Sequence, residues 1–200
     1  HITMKSVVSF LLSASLVVAV SGGAAAAVDL VQGSRVHVTG DRFAADLALR
    51  DGFVAAVQSS GGTVYSYGED GTEAAFVELP SEVGDQDLVL VCIGMVDSFR
   101  GDGYLERFRN RLDSIIDGLP ANRVALVTPV PLEIEVHEDP TTALNHAVVV
   151  GRYADVIIEV AARRACLLVD LHGPLSMAQD RLESGGLLHD GMHLNAIGWQ

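Results

Sequence analysis

Residues 87–128 read DLVLVCIGMVDSFRGDGYLERFRNRLDSIIDGLPANRVALVT. This stretch contains a complete strand–helix–strand unit. Asp87–Ile93 is a continuous apolar run, as a strand buried on both faces of a sheet requires. Tyr104–Leu119 follows with the spacing of an amphipathic helix, its apolar residues Leu105, Phe108, Leu112, Ile115 and Leu119 falling on one face. Gly118 and Pro120 end that helix. Arg123–Thr128 is a second buried strand, stopped by Pro129 and Pro131. Strands joined by a crossover helix run parallel, with helices covering the sheet.

The same alternation extends in both directions. Upstream lie a strand at Arg35–Thr39, a helical stretch over Phe43–Gln58 broken near Asp51-Gly52, a strand at Thr63–Tyr67 and a weak helix over Thr72–Leu79 ended by Pro80. Downstream lie a long helix over Thr141–Ala165, with Val150, Ala154, Ile157 and Ala161 on one face, and a strand at Cys166–Leu171. The expected fold class is α/β: a three-layer α/β/α sandwich with a flavodoxin-like, five-stranded parallel sheet. No internal repeat and no linker divides residues 31–200, which read as one domain.

Residues 1–30 are different. No charged residue occurs from Ser6 to Val28 (SVVSFLLSASLVVAVSGGAAAAV), with Lys5 before the run and Asp29 after it. Its length suits a membrane-spanning helix, so a retained N-terminal hydrophobic helix and a membrane-associated protein are expected. The alternative is a secretory signal peptide, with a basic start at Lys5 and small residues Ala24–Ala27 as the cleavage site. A helix buried against a partner is a third reading. The chain carries 13 Lys+Arg against 26 Asp+Glu, a formal charge of −13, yet its mean hydropathy is +0.33. The charge argues against nucleic acid as a partner, since phosphate backbones need a basic face. Both cysteines, Cys92 and Cys166, sit in apolar runs and read as reduced, buried residues. His37, Tyr65 and Tyr67 read as packed strand residues. No cofactor is expected, and His189 with His193 lacks an evident third metal ligand.

In a doubly wound sheet, function sits at the carboxyl ends of the strands. The segments at those places are Gly40-Asp41-Arg42, Gly68-Glu69-Asp70-Gly71-Thr72, Gly94-Met95-Val96-Asp97-Ser98 and Asp190-Gly191-Met192-His193-Leu194-Asn195. In that order they resemble the SGNH (GDSL-type) hydrolases, most of all the isoamyl-acetate-hydrolysing esterase type. The likeness spans about residues 34–200 and is strongest in YLERFRNRLDSII, RVALVTPVPLE, RYADVIIEVAA, LVDL and LLHDGMHLNAIGW. It implies that Asp190 and His193 correspond to the acid and base of a triad. Three residues apart at a helix start, the two side chains can face one way, and a carboxylate can fix the imidazole tautomer. A helix-capping Asp190 with an incidental surface His193 is the alternative.

The resemblance also implies departures. Arg42 stands where the family's nucleophilic serine belongs, and a guanidinium that stays protonated cannot attack an acyl carbon. Val96 stands where the family's oxyanion-binding asparagine belongs. Gly71 and Gly94 keep the glycine places of the oxyanion hole. Thr39, Thr72 and Ser98 are the hydroxyls that could substitute. Arg42 is expected to pair with Asp190 or Asp97 and fill the old site, or to bind an anion with the Gly71 and Gly94 amides. The implied function is a catalytically inactive SGNH hydrolase-like domain, a structural or interaction subunit among other protein subunits of a larger, membrane-bound assembly, tethered through residues 6–28. The alternative is a secreted or membrane-tethered carboxylic-ester hydrolase using Asp190 and His193.

Overall fold

The computed structural model describes residues 15–18, 26–30, 32–132, 140–179 and 193–194. Five parallel strands form the central sheet: β3 (Arg35–Gly40), β4 (Thr63–Gly68), β5 (Leu88–Cys92), β6 (Val124–Val127) and β7 (Leu167–Val169), in the spatial order β4-β3-β5-β6-β7. This is the flavodoxin-like order, with the chain reversing direction across the sheet next to its first strand.

Strand side chains alternate between two cores. Val36, Val38, Leu88, Leu90 and Cys92 face helices α1 (Arg42–Ala48) and α2 (Asp51–Ser59), where Ala44, Leu47, Phe53 and Val57 are buried. Val89, Val91, Val124 and Leu126 face α4 (Leu105–Asp117) and α5 (Pro140–Arg164) through Phe108, Leu112, Tyr153 and Ile157. Phe108 and Tyr153 meet ring to ring at 4.8 Å and 54°, and the Tyr153 hydroxyl donates to the Gly101 carbonyl at 3.0 Å. Arg163 and Arg164 both reach Asp113, at 2.9 and 3.0 Å, tying the end of α5 to α4. Cys92 and Cys166 are free and buried.

At the opposite end of β3 from the glycine turn, Asp87 accepts the Arg35 backbone N–H and two guanidinium N–H bonds at 2.6–2.9 Å. Burial alone would raise the Asp87 carboxyl, but these bonds and the Gly84 N–H hold it down at about 2. His37 is buried beside it and stacks on Tyr65 at 5.4 Å.

One expectation is corrected, and the apolar N-terminal run is described only in part. Within the apolar run, β1 (Ser15–Val18) and β2 (Ala26–Asp29) form a two-stranded antiparallel sheet, so these segments are extended rather than helical. Their valines suit the pleated backbone better than a helix. Residues 6–14 and 19–25 lie outside the described residues. No helix among the described residues is long and apolar enough to cross a membrane. The helix expected over Thr72–Leu79 is reduced to one 3-10 turn at Ala74–Phe76. Its backbone is drawn into tertiary bonds instead: Ala74 N–H goes to Asp97, and the Glu78 carbonyl accepts from Thr39.

Candidate functional site

A cavity of about 270 Å³ opens at the carboxyl ends of β3 to β6. Each loop that follows those strands contributes to its wall. The wall begins at Gly40. Its φ is +132°, and a Cβ there would lie 1.8 Å from the Cys92 carbonyl oxygen, so only glycine fits. Asp41 N–H then donates to that same carbonyl at 2.9 Å, which fixes the turn against β5. Asp41 caps α1 by accepting the Phe43 N–H on Oδ1 at 3.0 Å.

Asp41 is 4% exposed and borders the cavity. Burial pushes its carboxyl up to about 7. The Phe43 N–H opposes this, the Asp97 carboxylate adds to it, and His193 opposes it. Asp97 is fully buried and lies behind the wall, where both oxygens accept the Ala74 N–H at 3.1 Å. Burial raises it to about 6 against that bond.

Arg42 and His193 both line the cavity, and the Arg42 side chain is half exposed. Nε donates to Asp46 at 2.9 Å, one helical turn on, and Nη1 lies 3.6 Å from Asp70. The expected pairing with Asp97 is therefore not formed. Asp97 is sealed behind α3 (Met95–Ser98) and committed to the Ala74 amide, and two nearer carboxylates serve the cation. Asp190 lies outside the described residues.

Of the residues singled out from sequence, the cavity brings together Arg42, Gly71, Val96 and His193. Gly71 adopts φ +80° with open space around it. Gly94 caps α3 in a left-handed conformation and does not line the cavity. None of the three candidate hydroxyls lines it either. Thr39 is buried and donates to Glu78 at 2.5 Å, while Ser98 bonds Met95 at 2.5 Å and His146 at 2.7 Å.

The walls contain two possible nucleophiles that sequence reasoning passed over, Thr128 and Cys92. Thr128 Oγ donates to Asp170 at 3.1 Å and accepts the Leu171 and His172 N–H groups at 2.8 and 2.9 Å. Its hydrogen-bonding capacity is spent on joining β6 to β7 and to α6 (His172–Gln179). The Cys92 thiol is held well above its ordinary range by burial and then by the Asp41 charge, so no thiolate forms near neutral pH. Phe43, Met95, Phe99, Pro129 and Val130 complete an apolar lining. Pro129 and Val130 follow the fourth sheet strand in chain order, a place the strand-end rule points to directly. Among the described residues no group of three or more His, Cys, Asp or Glu could hold a metal.

The chain belongs to the GDSL-like lipase/acylhydrolase family, whose profile matches residues 23–200. Solved structures share the fold. The lipase/acylhydrolase from Enterococcus faecalis is 18% identical, with 84% of this chain and 90% of that one covered and a TM-score of 0.62. Axe2, an acetylxylan esterase from Geobacillus stearothermophilus, is 19% identical over 85% and 90%, with a TM-score of 0.63. A member of the lipolytic G-D-S-L family from Veillonella parvula is 14% identical over 84% and 92%, with a TM-score of 0.61. At these identities the likeness concerns the fold. No curated protein matches the sequence.

Proposed function

We propose that this chain is a GDSL-family domain that has given up serine-ester hydrolysis and serves as a non-catalytic binding or interaction subunit. One observation carries the proposal: Arg42, which the resemblance sets at the nucleophile's place, lines the cavity with its guanidinium on Asp46 and Asp70. Supporting it, Val96 has no donor to offer an oxyanion. The hydroxyl and thiol that do line the cavity are disarmed by hydrogen bonds and by burial. Losing one oxyanion donor costs roughly 10²–10³ in rate, and losing the nucleophile removes the covalent route. Exposed Phe99, Leu144 and Val148 give a partner subunit apolar surface to cover. A tether through residues 6–28 and a place in a membrane-bound assembly belong to the same proposal. Extraction from the native membrane tests them: a lone monomer would refute the subunit role.

Reversal of the two substitutions tests the chemistry. The unaltered chain should hydrolyse p-nitrophenyl acetate no faster than buffer. Arg42→Ser with Val96→Asn should gain turnover that a further His193→Ala removes, and Arg42→Ser alone should be about 10²-fold slower than the double variant. Turnover by the unaltered chain that disappears in His193→Ala would favour a second reading, an ester hydrolase working through Asp190 and His193. The retention of His193 on the cavity speaks for that reading.

A further inference from the structure

We propose that the cavity binds a small amphipathic amine, with its ammonium on the Asp41 carboxylate and its hydrocarbon body between Phe43, Met95, Val96, Phe99 and Val130. This rests on the cavity being a binding site rather than a cleaving one. An amine carries no ester bond, so its binding is read independently of turnover.

Three observations lead to that ligand. The first is size. An engineered apolar cavity of about 150 Å³ takes benzene. At about 270 Å³, this one has room for a longer or branched hydrocarbon. The second is a carboxylate that borders the cavity. Asp41 is 4% exposed; its Oδ1 is occupied by the Phe43 N–H, and its Oδ2 has no hydrogen bond among the described residues. A charge-assisted N–H is the strongest complement of a carboxylate oxygen that accepts no hydrogen bond.

The third is the sign of the field. Among the described residues Asp41 is faced by Asp70 after β4, Cys92 at the end of β5, Asp97 in α3, and His193, and Arg42 and Asp46 follow it in α1. Cys92 is a neutral thiol. The single guanidinium is already shared between Asp46 and Asp70. Among the described residues four carboxyl groups thus stand near one arginine and one imidazole, and the whole chain carries −13. Such a field draws cations in and repels carboxylates. An anion bridging Arg42 and Gly71, the other use of this pocket, would have to displace Asp70 and lie beside Asp41.

The test is calorimetric titration of the full chain with n-hexylamine, n-hexanol and hexanoate, which share one tail and differ in head charge. Hexylamine should bind at least about tenfold more tightly than hexanol, and hexanoate more weakly than either. Because an ammonium needs Asp41 ionised, and that carboxyl titrates at about 7, hexylamine affinity should fall about tenfold from about pH 8 to about pH 6. Asp41→Asn keeps the cap on the Phe43 N–H, so the fold survives, and should reduce hexylamine to the affinity of hexanol. Phe99→Ala, a change at an exposed rim residue, should weaken hexylamine and hexanol alike. Binding of none of the three, tighter binding of hexanoate, or unchanged hexylamine affinity in Asp41→Asn or Phe99→Ala would overturn the proposal. Ester turnover measured on the same preparations reports separately on whether the site cleaves.

Discussion

Asp41 and Asp97 bring two carboxyl groups out of water, and neither forms a salt bridge among the described residues. In the unfolded chain both titrate near the ordinary 3.8; in the fold they titrate at about 7 and about 6. Between those limits the folded chain holds protons that the unfolded chain has released. Stability therefore falls as pH rises from about 4 to about 7 and levels off above that. Removing the ionisation at Asp41 removes its share of that cost. Asp41→Asn should raise the melting temperature by about 3–8 °C at about pH 8 and by close to nothing at about pH 4, in scanning calorimetry. An equal shift at both values would show that ionisation is not the cause. At this scale the sequence was only partly legible. Asp41 stood in view inside Gly40-Asp41-Arg42, but nothing in a linear string reports that a residue is 4% exposed. The Arg42–Asp46 pair was legible, since the two are four apart at a helix start. The approach of Asp70 was not, because it depends on β3 and β4 pairing with Gly40 opposite Gly68.

The elements were more legible than their contacts. The strand–helix–strand unit over residues 87–128 forms as its periodicity requires, because an apolar run and a helical stripe have few other ways to leave water. The four-residue helix α3 and the helix α6 were not foreseen, and neither carries a periodic apolar signal of its own. The weak helix over Thr72–Leu79 was overestimated because tertiary hydrogen bonds to Asp97 and from Thr39 outweigh local propensity there. The extended pairing of β1 with β2 was missed because a long apolar run carries no period to separate strand from helix. Packing between α4 and α5 rests on Phe108, which is fully buried against Tyr153. Phe108→Ala should cost about 3–5 kcal/mol in denaturant unfolding, the loss of a large buried side chain plus the cavity it leaves. Tyr153→Phe, which loses only the hydroxyl bond to Gly101, should cost about 1 kcal/mol.

Across the whole molecule, the contrast between net acidity and positive mean hydropathy resolves into layers. The apolar residues fill the two faces of the sheet, and the 26 acidic residues against 13 basic ones leave the surface strongly negative. Most of the arginine–carboxylate pairs have an exposed partner, and such pairs contribute little individually. Self-repulsion should therefore dominate the response to salt. Raising NaCl from ~10 mM, where the screening length is ~30 Å, to ~0.3 M should raise the melting temperature. A fall would mean that the surface pairs hold the fold together more than the net charge loosens it.

Gly40 has a consequence of a different kind. Its backbone lies against the Cys92 carbonyl with no room for a side chain, and the next amide is bonded to that same oxygen. The main chain at position 42 is thus clamped by its neighbours rather than by its own side chain. Whatever residue stands there starts from the same point and the same direction. Position 42 is a fixed mounting point, at which nucleophiles, metal ligands or reporter groups can be exchanged on the cavity rim while the scaffold stays as it is.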